Sequence, residues 1–232
     1  MANHLDLEEQ EQLDQFKHFW SQYGNLITWV LIAVLGAYAA WNAYEYWQRS
    51  QAAQASAMFD EVERSIAAGD VAKVERALSD MNSKFGSSHY AQQAGLLAAK
   101  TFYEKGNLDA SKKALATVAE KSSDVGYQAI AKLRLASALI ESKNYDDAMK
   151  QLSGTYPKEF EPMAADRRGD VLALQGKAVE AKAEYVKAYK GFDDKSSYRR
   201  LVEMKLNALG GDPVTNPTTD VAAKDVSVEQ KK

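Results

Sequence analysis

The sequence contains no cysteine, little proline and almost no surplus charge, and each shortage narrows its chemistry. With 0 Cys among 232 residues, disulfides, thiol catalysis and zinc–thiolate sites are excluded together. Only 4 prolines are present, and Pro213 and Pro217 fall near the C-terminal end. That scarcity favours long helices over a strand-and-turn fold. The formal net charge is −3, without a long basic run, so the footprint of a nucleic-acid binder is missing. There is no His-x-x-x-His, no Gly-x-Ser-x-Gly and no glycine-rich phosphate loop. The 3 histidines, His4, His18 and His89, lie in an acidic leader, beside an apolar run and at a helix start. They read as solvated or interfacial residues rather than ligands or bases. No enzyme, cofactor or metal ion is expected from such a chain.

What is there begins with one long uncharged run. Residues 18–44 hold no Asp, Glu, Lys or Arg, and the stretch from Leu26 to Trp41 is almost wholly apolar. A helix needs about 20 such residues to cross a hydrocarbon core of ~30 Å. Trp20 and Trp41 would stand about 31 Å apart along a helix. Phe16, Phe19, Trp20 and Tyr23 at one end, and Trp41, Tyr44, Tyr46 and Trp47 at the other, match two interfacial aromatic belts. Ala37-Tyr38-Ala39 has the small-x-small form of a signal-peptide cleavage site, but a signal peptide opens with a basic region. Here Asp6, Glu8, Glu9, Glu11 and Asp14 precede the run against Lys17 alone, so an uncleaved anchor is expected. Orientation stays open, because Lys17 before the run and Arg49 and Arg64 after it are too few to decide. Ala33, Gly36, Ala37, Ala40 and Ala43 form a small-residue stripe. It reads either as a contact for another membrane helix or as the ordinary Gly and Ala content of a span.

Beyond Trp47 the composition favours continued helix, and then a turn signal recurs: Gly69-Asp70-Val71, Gly106-Asn107-Leu108, Lys143-Asn144-Tyr145 and Gly176-Lys177-Ala178. A spacing in the middle thirties, with the turn between two amphipathic stretches, is the tetratricopeptide pattern. In the fourth unit Ala181, Tyr185 and Ala188 fill the small, aromatic and small slots after the turn, and Gly169 fills the small slot before it. The third unit has Ala136, Ala148 and Leu152 in corresponding places. The second has Ala99, Leu115 and Val118, with Ser111 where alanine is usual. The first, with Val62, Val74, Leu78 and Met81, is degenerate, as terminal repeats tend to be. A final helix from Ser197 to Leu209 reads as a cap, with Leu201, Met204, Ala208 and Leu209 on one side.

The fold class expected is therefore all-α: a single N-terminal transmembrane helix, then a tetratricopeptide-like helical-hairpin solenoid with a C-terminal capping helix. The segments are an acidic leader (1–23), the membrane helix (24–46), the repeat domain (47–209) and a tail (210–232), the tail read as disordered from its composition. Repeat alignment puts Leu96, Lys100, Tyr103, Leu133, Ser137, Ile140, Asp170 and Leu174 on the concave face. That mixture suits a peptide groove and lacks a Lys/Asn cluster for clamping a terminal carboxylate. Asp166-Arg167-Arg168-Gly169-Asp170 reads as an ion network between helices in preference to an anion site. Arg199-Arg200 reads as a solvated helix face.

Particular stretches go further. Ile130-Ala131-Lys132-Leu133-Arg134-Leu135-Ala136, running on to Asn144-Tyr145-Asp146-Asp147-Ala148, resembles the ancillary SecYEG translocon subunits, the YfgM family. So do Ala165-Asp166-Arg167-Arg168-Gly169-Asp170-Val171-Leu172 and Met204-Lys205-Leu206-Asn207-Ala208-Leu209. The resemblance covers nearly the whole chain apart from the leader and the tail. It implies a single-pass protein of the bacterial inner membrane, with a cytoplasmic N-terminus and a periplasmic repeat domain. It also implies partners: the Sec translocon (SecYEG), the membrane-anchored periplasmic chaperone PpiD, and secretory proteins as they emerge. The long tail and the acidic leader, which gives no positive-inside support, depart from that family. A scaffold organising an envelope assembly remains the alternative, since both functions need only an anchored repeat domain.

Overall fold

The computed structural model describes residues 7–211, with side-chain surroundings from residue 11 onward. His4 and the segment from Asp212 lie outside the described residues, as does the start of the acidic leader. Nine α-helices and no strand occur among the described residues, as expected from the helical periodicity.

Helix α1 (Leu7–Ala67) is continuous over 61 residues, and the chain divides into two compact units between Gln54 and Ala55. In the first unit, α1 takes in the acidic leader from Leu7 and the whole apolar run. It is long and apolar enough to cross a membrane, and none of its apolar window is buried. A bare surface carrying Leu26, Trp29, Ile32, Leu35 and Tyr38 is unsuited to water and suited to lipid. The aromatic residues pair along the helix at each end: Phe19 with Tyr23 at 5.1 Å, and Tyr44 with Trp47 at 6.2 Å between ring centroids.

The second unit starts with the last turns of α1 and continues through α2 (Val71–Phe85), α3 (His89–Glu104), α4 (Leu108–Lys121) and α5 (Val125–Glu141). It ends with α6 (Tyr145–Leu152), α7 (Glu161–Leu174), α8 (Ala178–Gly191) and α9 (Ser197–Ala208). One turn geometry recurs after α1, α3, α5, α7 and α9. Gly69, Gly106, Lys143, Gly176 and Gly210 all have positive φ. After α3, the Gly106 amide donates to Tyr103 O at 2.9 Å and the Asn107 amide to Phe102 O at 2.8 Å. After α5, Lys143 donates to Ile140 O and Asn144 to Leu139 O at 2.9 and 2.8 Å. This paired bond is the Schellman closure, which satisfies the last carbonyls of a helix and needs a left-handed residue. At two of these turns the next residue's side chain also caps the following helix: Asp70 accepts from the Lys73 amide and Asn107 from the Ala110 amide, while Asn144 and Lys177 hold the same position without a side-chain cap. The recurring turn is thus a helix stop and a helix start two residues apart.

Packing between the helices follows the small slots. Ala99, Ala136, Ala148, Ala181 and Ala188 are buried. A Cβ at Gly169 would lie 2.5 Å from the Tyr185 ring, and one at Gly95 2.5 Å from the Val118 methyl, so these glycines set how closely paired helices approach. Ser111, in an alanine slot, is 2% exposed and its hydroxyl donates to Ala99 O at 2.8 Å. The degenerate first unit buries Val62, Val74, Leu78 and Met81 in the same register, with bulkier groups in place of alanines.

The last helix departs from expectation. Helix α9 does cap the stack, but it docks through Val202 and Leu206, both fully buried, with Leu209 packed beside them as expected, while Leu201, Met204 and Ala208 are exposed. The buried face is the one that also brings Tyr198 and Lys205 to the carboxylates of α7. Arg199 likewise is no solvated residue: it pairs with Asp194 and lies 4.1 Å above the Tyr189 ring. Arg200 is exposed.

Candidate functional site: a groove between α3 and α5

Helices α3 and α5 both pack on α4, and between them a groove of about 260 Å³ opens. Ala99, Ser111, Leu115 and Ala138 line it low down, and Lys100, Tyr103, Arg134, Ser137 and Glu141 stand around it. The volume is below the ~300–1,000 Å³ of small-molecule sites; it matches a shallow seat for side chains of a peptide. The Tyr103 hydroxyl donates to Glu141 Oε2 at 2.8 Å, bridging the two helices. That bond and the carboxylate's charge push the phenol up from its ordinary value, so Tyr103 stays a neutral donor. Lys100 reaches Glu104 at 3.7 Å in solvent. Arg134 is exposed and forms no ion pair with another described residue, leaving its planar fork of donors free for a carbonyl or carboxylate. The Ser137 hydroxyl turns back to Leu133 O at 3.1 Å.

The residues assigned to the concave face from repeat alignment therefore separate. Lys100, Tyr103 and Ser137 meet at this groove. Leu96 and Leu133 are 8% and 5% exposed and pack inside the core, outside the lining of this groove. Ile140 is half-buried against the core. Leu174 is exposed at the end of α7. Asp170 belongs to the ion network described next. Arg134 and Glu141, which alignment passed over, face the groove; charged residues on a helix read as solvent-facing unless the neighbouring helix is known. On α1, Ala33, Gly36, Ala37, Ala40 and Ala43 are all exposed, and a Cβ at Gly36 would meet open space.

The charged stretch of α7 is a structural lock. Asp166 is 0% exposed. Lys205 Nζ from α9 donates to its two oxygens at 2.8 and 3.0 Å, and the Tyr198 hydroxyl donates at 2.9 Å. Asp170 accepts from Lys205, from the Tyr185 hydroxyl and from Arg167 at 2.7, 2.9 and 3.0 Å. The buried carboxylate of Asp166 and the half-buried one of Asp170 are balanced by two cations, Lys205 and Arg167, which is what burial of charge demands. Burial, then the Asp166 carboxylate, push the Tyr198 hydroxyl up to about 12. Arg168 turns the other way and ties Glu184, Glu161 and Leu152 O together at 2.7, 2.6 and 2.9 Å. Burial alone would raise the Glu184 carboxyl, but the hydrogen bonds from Lys187 and Arg168 outweigh it and hold it below the usual carboxylate value.

Set against known proteins, residues 17–211 match the tetratricopeptide repeat-like domain family, a range that takes in the apolar run of α1 as well as the repeats. The protein named ancillary SecYEG translocon subunit in Neisseria gonorrhoeae is 32% identical over 210 residues, covering 90% of this chain and 100% of the relative. Its namesake in Haemophilus influenzae is 28% identical, covering 88% and 98%. The one in Escherichia coli is 24% identical, covering 87% and 96%. No solved structure matches this chain. With the repeat-like match running from before the apolar segment to the end of the capping helix, and the Neisseria relative covered along its whole length, this chain belongs to the family of ancillary SecYEG translocon subunits, the YfgM family.

Proposed function

We propose that this chain is a protein-binding adaptor held beside the Sec translocon in the bacterial inner membrane, and that it works by binding rather than by catalysis. The N-terminus is cytoplasmic, the apolar segment 24–46 crosses the membrane, and the repeat domain 47–209 works in the periplasm. Ala33, Gly36, Ala37, Ala40 and Ala43 let the span lie closely against a channel helix. In the periplasm the groove receives a segment of the chaperone PpiD or of a secretory protein as it emerges.

The observation that carries this reading is the α3–α5 groove on a chain whose relatives bear the translocon's name. Its low apolar lining takes a side chain, Tyr103 is fixed by Glu141, and Arg134 is free to engage a backbone carbonyl. Such a site binds extended or helical segments with modest affinity and little sequence demand, as a helper of many clients requires.

The test is a photo-crosslinking amino acid placed at Ser137 in cells carrying an arrested secretory protein in the channel. Adducts with that protein or with PpiD are expected from Ser137 and not from exposed Lys187 on α8. Adducts with neither from Ser137, alongside adducts with an unrelated envelope complex, would replace the adaptor by a scaffold.

A further inference from the structure

Helices α2 and α4 both pack on α3, and the space between them forms a second groove, of about 540 Å³, roughly twice the volume of the one between α3 and α5. Its bottom is apolar, made by the buried side chains of Leu78 and Phe102. Its walls carry Arg76, Lys113 and Lys121 against the single carboxylate of Glu75. All four charged residues are exposed, and none forms an ion pair with another described residue. Elsewhere in the repeats cations are of both kinds: Lys73, Lys100, Lys112, Lys150 and Lys187 each meet a carboxylate within 4.0 Å, while Arg134 does not. What sets this groove apart is its three cations against one carboxylate over an apolar bottom.

We propose that this groove docks an acidic amphipathic helix of a partner protein. The groove is lined by residues 75–83 of α2 and 110–121 of α4, about 13 and 18 Å of wall at ~1.5 Å per residue. A helix of about three turns laid between them, its ends free to run past, would set its apolar stripe over Leu78 and Phe102. Its Asp and Glu side chains would then meet Arg76 on one wall and Lys113 and Lys121 on the other. The recessed apolar bottom favours this occupant over an anionic lipid surface, which calls for apolar groups that protrude. The site does not rest on the α3–α5 groove, since the residues it uses on α4 lie on the side of that helix away from Ser111 and Leu115.

The test uses the full chain in phosphatidylcholine nanodiscs. The probe is a fluorescein-labelled helical peptide of about 14 residues with a leucine stripe and glutamates elsewhere, read by anisotropy with empty nanodiscs subtracted. Saturable binding is expected, weakened at least about tenfold by R76E/K113E/K121E and weakened again by high salt. A peptide with lysine in place of each glutamate should not bind. Ser137→Trp, which fills the other groove, should leave binding unchanged. The proposal is overturned by absence of saturable binding up to about 1 mM, by equal affinity for the charge-reversed variant, or by equal affinity for the lysine peptide. Displacement of the peptide by glycerol phosphate would also overturn it, because the cations would then be reading phosphate.

Discussion

Replacing Lys143 by glycine should stabilise the repeat domain. Lys143 is the single non-glycine residue with positive φ among the described residues, at 57°, in a turn whose counterparts are Gly69, Gly106 and Gly176. Its amide makes the same bond as theirs, to Ile140 O at 2.9 Å, so the conformation is imposed by the helix stop and not by the side chain. Holding an L-residue left-handed costs about 1–2 kcal/mol, and a glycine gives back about 0.5–1 kcal/mol through the freedom it adds to the unfolded chain. The net gain should be about 0.5–1 kcal/mol, or ~1–4 °C in a domain of this size. Thermal melts of the full chain in detergent, followed by helical circular dichroism, would measure it. Lys143→Ala should leave the midpoint nearly unchanged, and Gly106→Ala should cost about 0.5–1 kcal/mol, lowering the midpoint by ~1–4 °C. A midpoint for Lys143→Gly at or below that of the parent would refute the account of the turn.

Other perturbations probe the packing and the lock. Gly169→Ala pushes a methyl into the Tyr185 ring, 2.5 Å away, and should cost about 1–3 kcal/mol in denaturant titration; a neutral result would mean α7 and α8 can separate freely. Asp166→Ala leaves Lys205 and Tyr198 without their shared acceptor and should cost about 3–5 kcal/mol, with hydrogen exchange rising first in α9. Protection lost uniformly, or not at all, would contradict the lock. The depressed Glu184 carboxyl gives a pH dependence of known sign. Its contribution is present above the ordinary value of 4.5 and lost as pH falls below 4.5 through the lower folded value. Glu184→Gln should flatten the acid limb of stability measured from pH 6 to pH 3, and an unchanged limb would exclude it as a source.

Much of this architecture was legible because it repeats. Gly69, Gly106 and Gly176 mark the turns, and the alanine slots mark where helices touch, since both are demands of the backbone. Even Lys143, the exception, is betrayed by the Asn144 that follows it in the place of Asn107. Helix α9 was misread because hydrophobic size pointed to Leu201 and Met204. The winning face carries Val202, Leu206 and the polar pair Tyr198 and Lys205, which only acquire meaning once Asp166 is known to be buried beneath them. The groove shows the same limit: register places Lys100, Tyr103 and Ser137 on one face and the structure brings them to one groove, while Arg134 and Glu141 join it through neighbours on another helix that no local spacing reveals.

The side of the membrane on which the repeats stand governs the whole functional account. Protease added to spheroplasts, followed by blotting for an epitope placed just after Leu209, measures it directly. Digestion while the inner membrane is intact is the predicted result and puts the groove where secretory proteins emerge. Protection until the membrane is lysed would place the repeats in the cytoplasm and contradict the adaptor reading.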